Sequence, residues 1–103
     1  MWLGVTAENQ KQINYRLPIL MRIPAVVRFV SVEPMLEPVI VWPGIDWVIA
    51  GPETGLKARR CEGEWIDALA ADSRCFFDKR KNGWKRREWP NAPANVLGEK
   101  GLI

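Results

Sequence analysis

At 103 residues, with 48% apolar and 26% charged side chains, the chain fits one globular domain and excludes wholesale disorder. A fold of this size buries roughly two thirds of its unfolded surface, enough for a core without disulfide or metal staples. The net charge of +3 is unevenly spread, since residues 1–78 hold 8 basic and 10 acidic side chains and residues 79–103 hold 7 basic and 2 acidic, and the lack of histidine excludes Ser-His-Asp triads, Cys-His dyads and HExxH zinc sites.

No apolar run approaches the roughly 18 residues that cross a bilayer, and no basic segment followed by an uninterrupted apolar one opens the chain. The expectation is a cytoplasmic protein with no membrane partner. Cys61 and Cys75 stand 14 positions apart, without the C-x-x-C spacing of a zinc site, and read as free thiols. Cys61 lies beside Arg59 and Arg60, which would lower its pKa, against the plainer reading of an ordinary buried or surface thiol.

Trp2 to Thr6 (WLGVT) is a short run of strand formers, and the polar stretch from Glu8 to Gln12 opens a helix carrying Ile13, Leu17, Leu20 and Met21 at helical spacing. Pro18 predicts a break near Leu17, with a second short turn running to Ile23. Val26 to Val32 (VVRFVSV) is the strongest strand, its near-continuous apolar character suiting burial in a parallel sheet. Glu33-Pro34 ends it. Residues 35–44 form a connection, either a loop or one hiding a short helical turn, before a strand at Ile45 to Ala50. Glu64 to Ser73 places Trp65, Ile66, Leu69 and Ala70 on one helical face, and Cys75 to Phe77 begins a last strand that ends at Asp78.

The order is β-α-β-β-α-β or β-α-β-α-β-α-β, and either argues for parallel strands with right-handed crossovers. The fold class is α/β, with about four parallel strands and flanking helices over residues 1–80. Residues 81–103 form a basic, tryptophan-containing, irregular arm. Trp2, Trp42, Trp47 and Trp65 read as core or interface bulk.

Four strands are followed within three residues by an acid: Glu8, Glu33, Glu53 and Asp78. In parallel α/β folds all strand carboxyl ends open on one face, where sites are built, so these acids are expected to converge there. Gathered carboxylates repel and need a cation, a ligand amine, or Arg59, Arg60 and Lys79 to balance them. Ligand binding and general acid/base work are the functional readings. The structural reading puts Glu8 and Glu53 near helix starts and pairs Asp78 with Lys79 or Arg80.

The loop Gly51-Pro52-Glu53-Thr54-Gly55, with Arg59 and Arg60 nearby, has the glycines of an anion-binding turn but not the spacing of a P-loop or dinucleotide fingerprint. In the arm, Trp84, Lys85, Arg86, Arg87 and Trp89 interleave cations with aromatics, as nucleic-acid-binding segments do. The alternative is a solvated face whose tryptophans fold back onto apolar surface.

The segments W-L-G-V-T-A-E-N (Trp2 to Asn9), R-F-V-S-V-E-P-M-L (Arg28 to Leu36) and I-D-W-V-I-A-G-P-E-T-G (Ile45 to Gly55) occur in order. With R-L-P-I-L-M-R-I-P (Arg16 to Pro24), K-A-R (Lys57 to Arg59) and F-F-D-K (Phe76 to Lys79), they resemble the phage-derived gene-product thirty-seven/sixty-eight family, whose members have a radical-SAM-like TIM barrel. The resemblance covers residues 2 to about 80. It implies that the chain is the carboxyl-terminal half of such a barrel, with Glu8, Glu33, Glu53 and Arg59 at its mouth. The family's cysteine cluster, expected to hold an iron-sulfur cluster that cleaves S-adenosylmethionine, has no counterpart here, and Gly51-Pro52 replaces the more usual two glycines. No metal or cofactor is therefore expected in this chain unless a partner supplies the missing half.

Three functions follow as expectations: a catalytically incomplete half-barrel with an acidic strand-end site, a subunit of a split enzyme completed by a partner chain, or a small nucleic-acid-binding module using the arm. Bare strand edges imply a homo-oligomer or a separate amino-terminal half-barrel chain.

Overall fold

A computed structural model describes residues 1–81 and 86–90. Its elements run β1 (Trp2–Thr6), α1 (Gln10–Met21), β2 (Val27–Val32), β3 (Trp47–Ala50), α2 (Gly63–Ala71) and β4 (Phe76–Asp78). All four strands are parallel and pair in chain order, β1-β2-β3-β4, in a sheet that does not close. The first of the two expected orders is thus observed, with no helix between β2 and β3. Among the described residues no helix is long and apolar enough to cross a membrane.

Side chains alternate across a strand, and the registers Val5 to Val30, Val30 to Val48 and Val48 to Phe76 line one face with small and branched residues. Both helices pack there. Ile13, Leu17 and Leu20 of α1 and Ile66 and Leu69 of α2 share one cluster with Val30, Val32, Val48, Ala50 and Phe76. The crossover between β2 and β3 contributes Met35, Val39 and Ile45 to the same cluster, so its apolar side chains fill the space a crossover helix would take. Gln10 fastens that loop to the first turn of α1: its side chain donates to Ile40 O (3.0 Å) and accepts from Ile40 N–H (2.6 Å), while its backbone N–H donates to Glu37 (3.0 Å).

Pro18 does not break α1, which continues to Met21. Proline removes the bond that its own N–H would have given to the Asn14 carbonyl. Asn14 is exposed, so water can satisfy that oxygen, and burial of Leu17 and Leu20 on either side of Pro18 holds the helix together. The amino terminus of α1 is capped by Asn9, whose side chain accepts from Gln12 N–H at 2.9 Å.

Among the described residues the opposite face of the sheet carries no helix. It presents Gly4 of β1, Phe29 of β2 and Trp47 of β3 in one register row, with Trp2 (beside Val27) and Phe77 (beside Ile49) in the neighbouring rows of the same face. Trp47 is the hub of this layer: its ring lies 5.6 Å from Phe29, 6.1 Å from Trp2 and 6.5 Å from Phe77. Offset and edge-on contacts of this kind add to the area buried.

Gly4 makes room for the layer. A Cβ there would stand 2.3 Å from the Phe29 ring, closer than any van der Waals contact allows. Gly4→Ala is therefore expected to lower the free energy of unfolding by about 1–3 kcal/mol, measured by urea denaturation, through overpacking. Adding Phe29→Leu should recover part of that loss.

Candidate functional site

The carboxyl ends of the strands carry charge in pairs. Glu33, just after β2, meets Lys79, just after β4, with both carboxylate oxygens 3.1 Å from Nζ. Lys79 reaches across β3 because Gly51 at the end of that strand has no side chain in the way; a Cβ on Gly51 would fall 2.9 Å from Lys79 Cβ. The backbone is tied at the same level, where Lys79 N–H donates to Ala50 O (2.9 Å), Gly51 N–H to Val32 O (3.3 Å) and Met35 N–H to Gly51 O (2.9 Å).

Glu53 and Arg59 form a second unit within the loop that follows β3. The Glu53 carboxylate accepts from Arg59 Nε (2.7 Å), Nη2 (2.9 Å) and backbone N–H (2.8 Å). Those hydrogen bonds hold the Glu53 carboxyl down to about 2, so it stays ionised far below the usual carboxylate range, and they raise Arg59 in turn. Glu8 is near enough to add to the field at Arg59. The expectation that Glu53 sits at a helix start is corrected, since α2 begins ten residues later at Gly63. The loop closes on itself through the carboxylate, which takes the Arg59 N–H and its guanidinium for Glu53.

Asp78 is placed differently from the other three acids. It follows the helix-side alternation of Phe76 and is 1% exposed. Arg80 covers it, with Nε 3.0 Å from Oδ1 and Nη2 2.6 Å from Oδ2, and the same Nη2 reaches Asp67 of α2 at 2.8 Å. Of the two cations the sequence offers, Arg80 is the partner and Lys79 is not. The carboxyl-end face thus gathers Glu8, Glu33, Glu53, Arg59 and Lys79, while Asp78 joins β4 to α2 behind the sheet.

The arm is partly a structural element: Trp89 folds back onto apolar surface, the alternative the sequence offered, while the pairing of residues 86–88 with β4 is what composition did not signal. Residues 86–88 run antiparallel along the outer edge of β4: Asp78 N–H donates to Arg86 O (2.7 Å), Glu88 N–H to Phe76 O (2.9 Å), and Phe76 N–H to the Glu88 carboxylate (3.0 Å). Arg86 binds Glu88 through two nitrogens, at 2.7 and 2.8 Å, and also reaches the carbonyls of Ala70 and Ser73 at the end of α2. Those bonds raise Arg86 and lower Glu88. Arg87 donates to Arg80 O (2.8 Å) and lies over the Phe77 ring. Trp89 folds back onto the open face, 4.9 Å from Trp47 and 5.6 Å from Phe77, as Trp47 Nε1 donates to Glu88 O (2.9 Å). Trp84 and Lys85 lie outside the described residues.

Two recesses adjoin these groups. One of about 160 Å³ lies on the open face between Trp47, Ile49, Phe77, Lys79 and Trp89. A larger cleft of about 590 Å³ opens at the amino ends of the strands beside Val27, Asp46, Arg74, Cys75, Glu88 and Trp89. Parallel α/β folds place their chemistry at the opposite, carboxyl ends, so the charge pairs and not the larger cleft mark the candidate site.

The cysteines do not fit an iron-sulfur cluster. Cys75 precedes β4 at its amino end and Cys61 precedes α2, near Arg80 on the far side of that strand. Burial pushes both thiols up, which fits the plain-thiol reading of Cys61 and not a lowering by Arg59 and Arg60. Among the described residues no three His, Cys, Asp or Glu side chains are grouped to hold a metal.

Exposure separates structural from available charge. Arg80→Met leaves the Asp78 carboxylate buried without its cation and is expected to cost about 3 kcal/mol of stability. Lys79→Met, at a half-exposed pair, should cost under about 1 kcal/mol in the same denaturation measurement.

No curated protein and no solved structure matches the chain. One family matches residues 1–99, a span that includes the charge pairs, the aromatic face and the described part of the arm, and the chain therefore belongs to the family described as Protein of unknown function (DUF5131).

Proposed function

We propose that the chain is a catalytically incomplete part of a radical-SAM-like barrel of phage type, in which the charges at the strand ends bind ligand and a partner half supplies the iron-sulfur cluster. The observation that carries this reading is the one-sidedness of the sheet. A parallel sheet ordinarily has both faces covered, and a doubly wound fold does this with helices on each side. Here both helices lie on one side and the other face is aromatic, an arrangement that suits a sheet curling so that this face becomes the barrel interior.

The mouth of such a barrel would hold Glu33 with Lys79 and Glu53 with Arg59. Charges of both signs suit a ligand that carries an ammonium and a carboxylate, as S-adenosylmethionine does. The Glu33–Lys79 pair is the more exchangeable of the two, because the Lys79 side chain is a long flexible stem, 46% exposed, whereas Arg59 is held by three bonds to Glu53. A ligand could insert between Glu33 and Lys79 by trading their mutual bonds for its own. Arg86 is engaged by Glu88 and by the carbonyls at the end of α2, so a nucleic-acid role for the arm would fall to its other cations and to Trp89.

Equilibrium dialysis of the chain with labelled S-adenosylmethionine is expected to give weak, saturable binding. Glu33→Gln and Lys79→Met should each weaken it about tenfold, the effect of losing one hydrogen bond to a charged group. Anaerobic treatment with ferrous iron and sulfide should yield no cluster and no reductive cleavage. A cluster with cleavage in this chain alone contradicts the incomplete-barrel reading, and an absence of saturable binding removes the mouth as a ligand site.

A further inference from the structure

The two outer edges of the sheet are finished differently. The β4 edge is sealed by residues 86–88, which take the outward N–H groups of Phe76 and Asp78 and the carbonyl of Phe76. The β1 edge pairs with no strand among the described residues. Ala7 N–H donates inward to Ser31 O, so the alternation of a parallel ladder turns the backbone groups of Trp2, Gly4 and Thr6 outward. Trp2 to Thr6 itself contains no charge and no proline, and among the described residues its only edge cover is the Arg16 side chain at Thr6.

At its carboxyl corner stands Arg16 of α1, which donates to the Thr6 carbonyl beside a recess of about 420 Å³ lined by Gly4, Val5, Thr6 and Phe29. Among the described residues Arg16 has no carboxylate within ion-pair distance. By contrast, the acids that follow β2, β3 and β4 each meet a cation, in Glu33–Lys79, Glu53–Arg59 and Asp78–Arg80.

We propose that the β1 edge accepts one parallel strand from an α/β partner chain, and that Arg16 recognises a carboxylate following the end of that strand. The proposal rests on the half-barrel reading and names where its partner joins. A second copy fits less well in either arrangement. Head-to-tail growth would need the β4 edge, which residues 86–88 occupy. A two-fold contact would set Trp2 of one β1 against Thr6 of the other, and the amino end of β1 offers Arg16 no acid. A parallel strand ending as β2 and β3 do in this chain would bring an acid to that corner and extend the aromatic face in register. The sheet therefore grows in one direction and stops at β4.

The probe is a blocked peptide of residues 27–33, an acid-tipped parallel strand of the kind inferred, titrated into the isotope-labelled chain. The amide resonances of Trp2, Gly4 and Thr6 are expected to shift. The Glu33→Gln peptide should bind about fivefold more weakly, the upper end of what a partly exposed ion pair supplies. Arg16→Gln in the protein should erase that difference. A nitroxide on the amino end of the peptide should broaden Trp2 more than Thr6, as parallel pairing requires. The absence of shifts at this edge, indifference to the acid, or reversed broadening overturns the proposal. So does broadening of the same amides with protein concentration alone, which would make the occupant a second copy. Peptide binding that persists when S-adenosylmethionine binding fails would keep the edge and discard the ligand, and the converse result would keep the mouth and discard the edge.

Discussion

The parallel register of β2 against β3 positions everything else in this protein. Val30 beside Val48 and Val32 beside Ala50 commit one face to α1, α2 and the crossover loop, and the same register sets Phe29 beside Trp47 on the other. A slip of one residue would turn Trp47 into the helical core and expose Val48, so the aromatic layer and the apolar core enforce one another. The strand ends inherit this order. Glu33 and Lys79 can pair across β3 only because β2 and β4 finish level on either side of Gly51.

Charge at the strand ends then divides into two kinds. Asp78 is buried and the half-buried Arg80 covers it against α2 as a structural tie, since a carboxylate at 1% exposure needs its cation and its hydrogen bonds together. Glu33 with Lys79 is open to solvent and contributes little to stability, which leaves those side chains free to exchange partners. Glu53 with Arg59 is intermediate, exposed but triply bonded, and it fixes the shape of the loop after β3. A site assembled at this face would draw its adaptable groups from the first pair and its rigid rim from the second.

Much of the architecture was legible in the sequence because parallel strands and amphipathic helices leave strong periodic marks. β1 matches its expected bounds, β2 begins one residue later at Val27, and α2 falls within Glu64 to Ser73 apart from Gly63 at its start. The continuity of α1 through Pro18 was not legible, because it depends on where the Asn14 carbonyl points and on burial that only the fold defines. The pairing of Asp78 with Arg80, two residues on, was legible, but its burial was not: an acid at a strand end can turn to either face, and the choice depends on Asp67 of α2 drawing Arg80 behind the sheet. The arm was read from composition as basic, while its pairing with β4 is specified by Glu88 and Trp89, two residues whose partners lie more than ten positions away. Gly4 carried no periodic signal at all, since its requirement comes from the Phe29 ring on the neighbouring strand.

The two edges of the sheet differ: residues 86–88 seal β4, and the outer edge of β1 pairs with no strand among the described residues. Native-state hydrogen exchange of the chain reads this directly, residue by residue. The amides of Phe76 and Asp78 should be protected to the same degree as those in the interior of the sheet, while those of Trp2 and Gly4 should exchange close to the rate of an unprotected backbone. Fast exchange at Phe76 and Asp78, or strong protection at Gly4, would contradict a sheet that is finished at β4 and unfinished at β1.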